Sequence, residues 1–166
     1  MKKVEEEDKS YQAALRLLSY KARTEAEMEK LLQERRFSPE QIAATIKRLK
    51  DVRYLDDNQY AYQRCRYLAE VKFFGPLQIR AKLDAKRVKE ELINKVLTEY
   101  FSENDEAFFL RKAVAKKLRQ EGKPETLKEF KRLFDFVRRR GFHHKPIWQE
   151  LGKYKKAIDR KKYRGE

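Results

Sequence analysis

Apolar residues fall along this chain at helical spacing, and one pattern of six positions occurs three times. Met28, Leu32, Phe37, Ile42, Ile46 and Leu49 form the first set. Ile79, Leu83, Val88, Ile93, Leu97 and Tyr100 form the second, 51 positions later, and Leu133, Val137, Phe142, Ile147, Leu151 and Tyr154 the third, 105 positions after the first. A period near fifty with one apolar pattern per unit marks a small helical module used repeatedly, each too small to bury its own face alone. The pattern predicts an all-α chain, a tandem array of three three-helix repeats, elongated and curved. A charged, frayed leader at 1–9 precedes repeats at 10–53, 54–101 and 102–154, and a basic tail occupies 155–166.

Local signals place the helices. The first carries Tyr11, Ala14, Leu15 and Leu18 on one stripe and ends near Tyr20. Thr24 with Glu27, and Ser38 with Pro39 and Gln41, are capping boxes that open the next two. Asp56 and Asp57 can accept the free N–H groups of a fourth helix, with Tyr60, Ala61, Cys65, Leu68 and Val71 inward and Arg64, Arg66 and Lys72 outward. Gly75 and Pro76 form a stop and restart, with Ile79 and Leu83 on one face. The joint from Asp84 to Lys89 has neither Gly nor Pro, which leaves a single bent helix as an alternative there. Beyond it, Phe108, Phe109, Leu110, Val114 and Leu118 give one inner face, and Leu127, Phe130, Phe134 and Val137 line a helix from about Pro124 to Arg140. Phe73, Phe74, Phe130, Phe134 and Trp148 read as core at these spacings rather than as stacking platforms.

Composition sharpens this picture. With 42% charged residues, 5 Gly and 4 Pro, solvated helices are favoured over sheets. Cys65 is the single cysteine and reads as a packed thiol. No apolar run approaches the about eighteen residues of a membrane span, and the Met1 end is polar and acidic, so no membrane partner and a cytoplasmic location are expected. The net charge of +15 is unevenly placed: from Arg111 onward 20 Lys and Arg face 7 Asp and Glu. A field of that sign draws a chain toward polyanions, chiefly nucleic acid.

Candidate chemistry is correspondingly one-sided. There is no Gly-rich phosphate loop, nucleophile elbow or metal motif, and adjacent His143 and His144 would diverge on a helix. No catalytic residue, cofactor, metal or small-molecule substrate is therefore expected. Lys112, Lys116, Arg119 and Lys123 recur every three or four positions opposite an apolar stripe. Lys128, Arg132, Arg138 and Arg139 line the following helix. A merely soluble helix mixes its signs, so these eight are read as a surface facing DNA or a polyanionic filament.

Several motifs in order carry a resemblance. Tyr54-Leu55-Asp56-Asp57 with Tyr60-Ala61, then Gly75-Pro76 with Ile79 and Leu83, then Arg140-Gly141-Phe142 with Ile147 and Trp148, together resemble the bacterial RecX family. Ala14 to Leu18, Ser19-Tyr20 and the Thr24 to Leu32 helix fit the family's opening, so the likeness covers roughly residues 11 to 151. The family's usual Gly before Phe37 and Val88 is replaced here by Arg36 and Arg87. The resemblance implies a non-enzymatic regulator of recombination, DNA repair and the SOS response. Such a protein binds RecA filaments on DNA and inhibits RecA ATPase, strand exchange and coprotease activity. From another class, a stand-alone basic helical module that binds nucleic acid by itself is the alternative.

Overall fold

The computed structural model describes the backbone of residues 2–164 and the side chains of residues 9–162. The chain runs through α1 (Lys2–Tyr20), α2 (Glu25–Glu34), α3 (Pro39–Asp51), α4 (Asp57–Glu70), α5 (Pro76–Asp84), α6 (Glu90–Glu103), α7 (Glu106–Glu121), α8 (Leu127–Arg139) and α9 (His144–Arg164). No strand occurs among the described residues. Helix α1 begins at Lys2, within the leader expected at 1–9; Met1 and the side chains of residues 1–8 lie outside the described set. At the other end α9 carries the basic tail as helix through Arg164.

Two compact units divide the chain, residues 1–63 with 83–93, and residues 64–82 with 94–166. In the first, Tyr11, Ala14, Leu17, Met28, Leu32, Ile42, Ile46, Leu49 and Leu55 make one buried cluster, with Leu15, Leu18, Leu31 and Phe37 packed against it half-buried. The α1 stripe thus centres on Leu17 rather than on Leu15 and Leu18, a rotation of one position that the sequence spacing tolerates equally. Full burial of each Leu or Ile contributes about 1.5–3 kcal/mol, enough that the repeated apolar slots dominate the stability of so charged a chain. Thr24 and Ser38 cap α2 and α3 with reciprocal bonds to Glu27 and Gln41.

In the second unit Leu110, Val114, Leu133, Val137, Phe142, Ile147 and Leu151 are buried, and Tyr100 stacks on Phe109 at 6.2 Å. Of the eighteen repeated slots, only Phe37 and Tyr154 are half-buried; the other sixteen are buried. Spacing misleads at the margins of faces. Val71 is 53% exposed because α4 has ended at Glu70 and Val71 lies in the turn beyond it, and Phe108 and Leu127, each 46% exposed, sit at the edge of an apolar arc rather than at its centre. Ala69 and Ala113 are buried instead. Helix α8 starts at Leu127, capped by Thr126 with Glu129, so Pro124 lies in the preceding loop.

The turn between α5 and α6 is a break and not a bend. Arg87 takes φ 56° and closes α5 as a Schellman turn, with Arg87 N–H donating to Asp84 O (2.7 Å) and Val88 N–H to Leu83 O (3.3 Å). Arg36 does the same after α2 at φ 64°, through Gln33 O (2.8 Å) and Leu32 O (3.3 Å). A residue with a Cβ costs roughly 1–2 kcal/mol in this left-handed region, which glycine occupies freely. Gly141, before Phe142, holds the matching place at φ 80°.

One joint recurs. The Thr24 hydroxyl at the start of α2 donates to Lys86 O (2.9 Å), and Lys86 Nζ reaches Glu27 at 2.6 Å. Gly75, 51 residues after Thr24, donates its N–H to Arg140 O (2.8 Å), and Leu77 N–H donates to Gly141 O (3.0 Å). In both cases the start of one repeat's second helix docks on the turn that ends the next repeat's second helix. A Cβ on Gly75 would lie 2.4 Å from Gly141 O, so the second joint depends on bare backbone meeting bare backbone.

Candidate nucleic-acid interface

Helix α7 is set by Asp105, whose carboxylate accepts the Ala107 N–H (2.9 Å), and it buries Phe109, Leu110, Ala113 and Val114. That fixes Lys112, Lys116 and Arg119 on the opposite, exposed side. Gly122 ends the helix at φ 81°, and Lys123 follows in the exposed loop. Helix α8 buries Phe130, Leu133 and Val137, which leaves Lys128, Arg132, Arg138 and Arg139 exposed.

The eight cations differ in how free they are. Arg132 lies 3.9 Å from Glu129, and Arg138 lies 3.5 Å from Asp135. Lys112 sits 5.2 Å from the centre of the exposed Phe108 ring. Lys116, Arg119, Lys123, Lys128 and Arg139 have no carboxylate partner among the described residues. Exposed ion pairs add at most about 1 kcal/mol, so even the paired members can exchange a carboxylate for an external phosphate at little cost.

They do not form one cluster. Lys123 and Arg132 line the same cleft, with Lys117, Glu121 and Glu129, where the end of α7 meets the start of α8. Arg139 lies about 16 Å along α8 from Lys128, at 1.5 Å rise per residue. The run of three arginines also splits. Arg140 turns inward, donates to Lys72 O and rests over Phe74 (5.3 Å) and Phe136 (4.7 Å), and burial lowers its pKa. It is a structural clamp for the second joint rather than part of the exposed surface.

Sequence reading missed part of the basic surface. Lys153, Lys155 and Lys156 on α9 line a groove with Trp148, Gln149 and Gly152; Lys153 lies at the end of the expected third repeat, and the signal for Lys155 and Lys156 was only the charge density of a segment taken as a tail. Trp148 is 39% exposed rather than core. Its indole N–H donates to His144 Nε2 (2.7 Å), and its ring lies 5.4 Å from Phe134. His143 instead binds Glu106, through its backbone N–H (2.7 Å) and Nδ1 (2.8 Å), which ties α9 to the start of α7. The two imidazoles therefore engage different partners. No group of three or more His, Cys, Asp or Glu among the described residues could hold a metal ion. Cys65 is fully buried, and burial pushes its thiol up to about 12, far from a reactive thiolate. No helix among the described residues is long and apolar enough to cross a membrane.

Comparison with known proteins agrees with this architecture. The family descriptions "RecX, first three-helix domain" and "RecX, second three-helix domain" match residues 11–49 and 56–97. A regulatory protein RecX of Bacillus cytotoxicus is 34% identical over 93% of this chain, which spans 57% of that relative, little more than half its length. Another, of Chlorobaculum tepidum, is 33% identical with 81% of each chain covered. The crystal structure of RecX from Lactobacillus salivarius superposes with a TM-score of 0.76 over 94% of this chain and 98% of its own, at 20% identity, and so speaks for the fold. Ordered motifs, repeated three-helix architecture and sequence identity converge: the chain belongs to the RecX family of regulatory proteins.

Proposed function

We propose that the chain is a non-enzymatic regulator that docks on RecA filaments assembled on DNA and restrains RecA ATP hydrolysis, strand exchange and coprotease activity. Family membership supports this reading, and the observation that carries it is an all-helical chain with matched three-helix domains and an excess of cations from Arg111 onward. We take residues 10–53, 54–101 and 102–154 as three such modules. A helical polymer presents the same surface repeatedly, and many weak contacts along an array sum steeply through effective concentration. Lys112, Lys116, Arg119, Lys123, Lys128, Arg132, Arg138 and Arg139 supply the polyanion-facing contacts, to DNA in the filament. Adding the chain to RecA on single-stranded DNA should lower the rate of ATP hydrolysis in a dose-dependent way. Unchanged hydrolysis at excess protein refutes the proposal.

A second reading, a stand-alone nucleic-acid binder, draws on the six cations, Lys112 among them, without carboxylate partners among the described residues. It requires tight, salt-sensitive binding of DNA with no recombinase present. Neutralising Lys112, Lys116 and Arg119 should then flatten the salt dependence.

A further inference from the structure

Among the described residues, four other than glycine adopt positive φ, and three are arginines: Arg36 at 64°, Arg53 at 57° and Arg87 at 56°. This is the region where glycine, or failing that asparagine, is the favoured residue. All three arginines are exposed, and none has a side-chain partner among the described residues. All three lie in the first unit, which is nearly neutral in charge.

Helix-end electrostatics do not account for them. A cation near a helix C-terminus complements the macrodipole, but an unstrained position in the last turn serves equally well. After α2 that role is filled by Arg35, whose Nη1 donates to Leu31 O at 3.2 Å. In α5 it falls to Lys82, and in α3 to Arg48 and Lys50. Arg87 also lines a groove with Arg23 and Lys30. The carboxylates there are already engaged, Glu27 by Lys86 at 2.6 Å and Glu34 by Lys30 at 3.8 Å, while Arg23 Nε is buried without a hydrogen-bond partner. These helix-ending turns thus carry exposed guanidinium groups that no described side chain engages, twice at the same slot of successive repeats.

We infer that Arg36, Arg53 and Arg87 are phosphate contacts to a nucleic-acid backbone, a second polyanion surface on the first unit beyond the cations of α7 and α8. A guanidinium binds phosphate oxygens bidentately, and a polynucleotide is a ligand whose charge recurs as regularly as the repeats do. The inference rests on the reading that this chain meets DNA.

The test separates fold from binding in one set of proteins. Arg36→Gly, Arg53→Gly and Arg87→Gly, singly and combined in the full chain, are melted and titrated with a labelled single-stranded oligonucleotide at several salt concentrations. The combined variant should melt higher than the parent. Its log-log salt slope should be shallower by about 0.7 for each arginine removed, roughly two units in all. Replacing the same three residues by Lys should restore the slope without the gain in melting temperature. Glycine variants that melt higher but keep the parental slope overturn the inference and leave the α7 and α8 surface standing. A lower melting temperature also overturns it, because the arginines would then be stabilising the fold. Absence of salt-dependent binding by the parent chain removes both this inference and the DNA contacts on which it rests.

Discussion

Substituting Gly141 by Ala puts the joint between α5 and the end of α8 under direct test. Gly141 sits at φ 80°, and a Cβ there would lie 2.1 Å from Gln78 N and 2.5 Å from Gln78 Cβ. The nearest atom is backbone, so no side-chain rotation relieves the clash, and the joint must open. Left-handed strain costs roughly 1–2 kcal/mol. Opening loosens the bonds from Gly75 N–H to Arg140 O and from Leu77 N–H to Gly141 O, each a net contribution of about 0.5–1.5 kcal/mol. The expected loss is about 2–5 kcal/mol, a large share of the 5–15 kcal/mol typical of a folded domain. Gly152→Ala supplies the opposite sign. Gly152 lies inside α9 with nothing within 4 Å of its would-be Cβ, so alanine there should add about 0.5–1 kcal/mol through helix propensity. Urea unfolding followed by far-UV circular dichroism reads both. A Gly141→Ala midpoint within about 1 kcal/mol of the parent, at unchanged m-value, would show that the backbone contact does not hold the joint.

Three further outcomes follow from the same geometry. Leu83→Ala, at a fully buried slot, should cost about 2–5 kcal/mol in the same unfolding assay, whereas the half-buried Phe37 should prove more tolerant of conservative replacement. Reversing charge at Lys112, Lys116, Arg138 and Arg139 should weaken inhibition of RecA without changing helix content, and a variant that inhibits normally would remove these residues from the interface. Burial raises the Glu27 pKa, but the bonds from Lys86 and the Thr24 amide outweigh it and hold the carboxyl below its ordinary value of 4.5. Its stabilising contribution is therefore complete above about pH 4.5 and is lost as pH falls through the lower folded value. Glu27→Gln should flatten the acid limb of the stability profile, and an unchanged limb would contradict the role given to the first joint.

What was legible in the sequence was what helical periodicity encodes. The repeated slots Met28, Ile79 and Leu133 point inward because residues three and four apart share a face, and Thr24 with Glu27 announces a helix start through its own chemistry. Other features depend on partners distant in sequence. That Gly75 and Gly141 press together follows from a contact between residues 66 apart, which no local pattern records. The break at Arg87 was obscured because arginine is not a turn residue, and only its φ reveals that the chain reverses there. Periodicity also fixes the centre of a buried arc better than its width or its end, which is why Phe108 and Leu127 emerge at the surface and Val71, past the end of α4, does too. For the basic surface, the sequence identified charge but not its employment: Arg140 is turned inward as a clamp, while Lys116 and Arg139 have no carboxylate partners among the described residues.

The proposed regulatory role is most directly tested by imaging. RecA filaments on single-stranded DNA, frozen with and without the chain and reconstructed by electron cryomicroscopy, should show added helical density seated on the filament, with the α7 and α8 cations turned toward DNA. Bare filaments in the presence of excess protein, with all of the chain left free, would contradict the filament-docking account at its root.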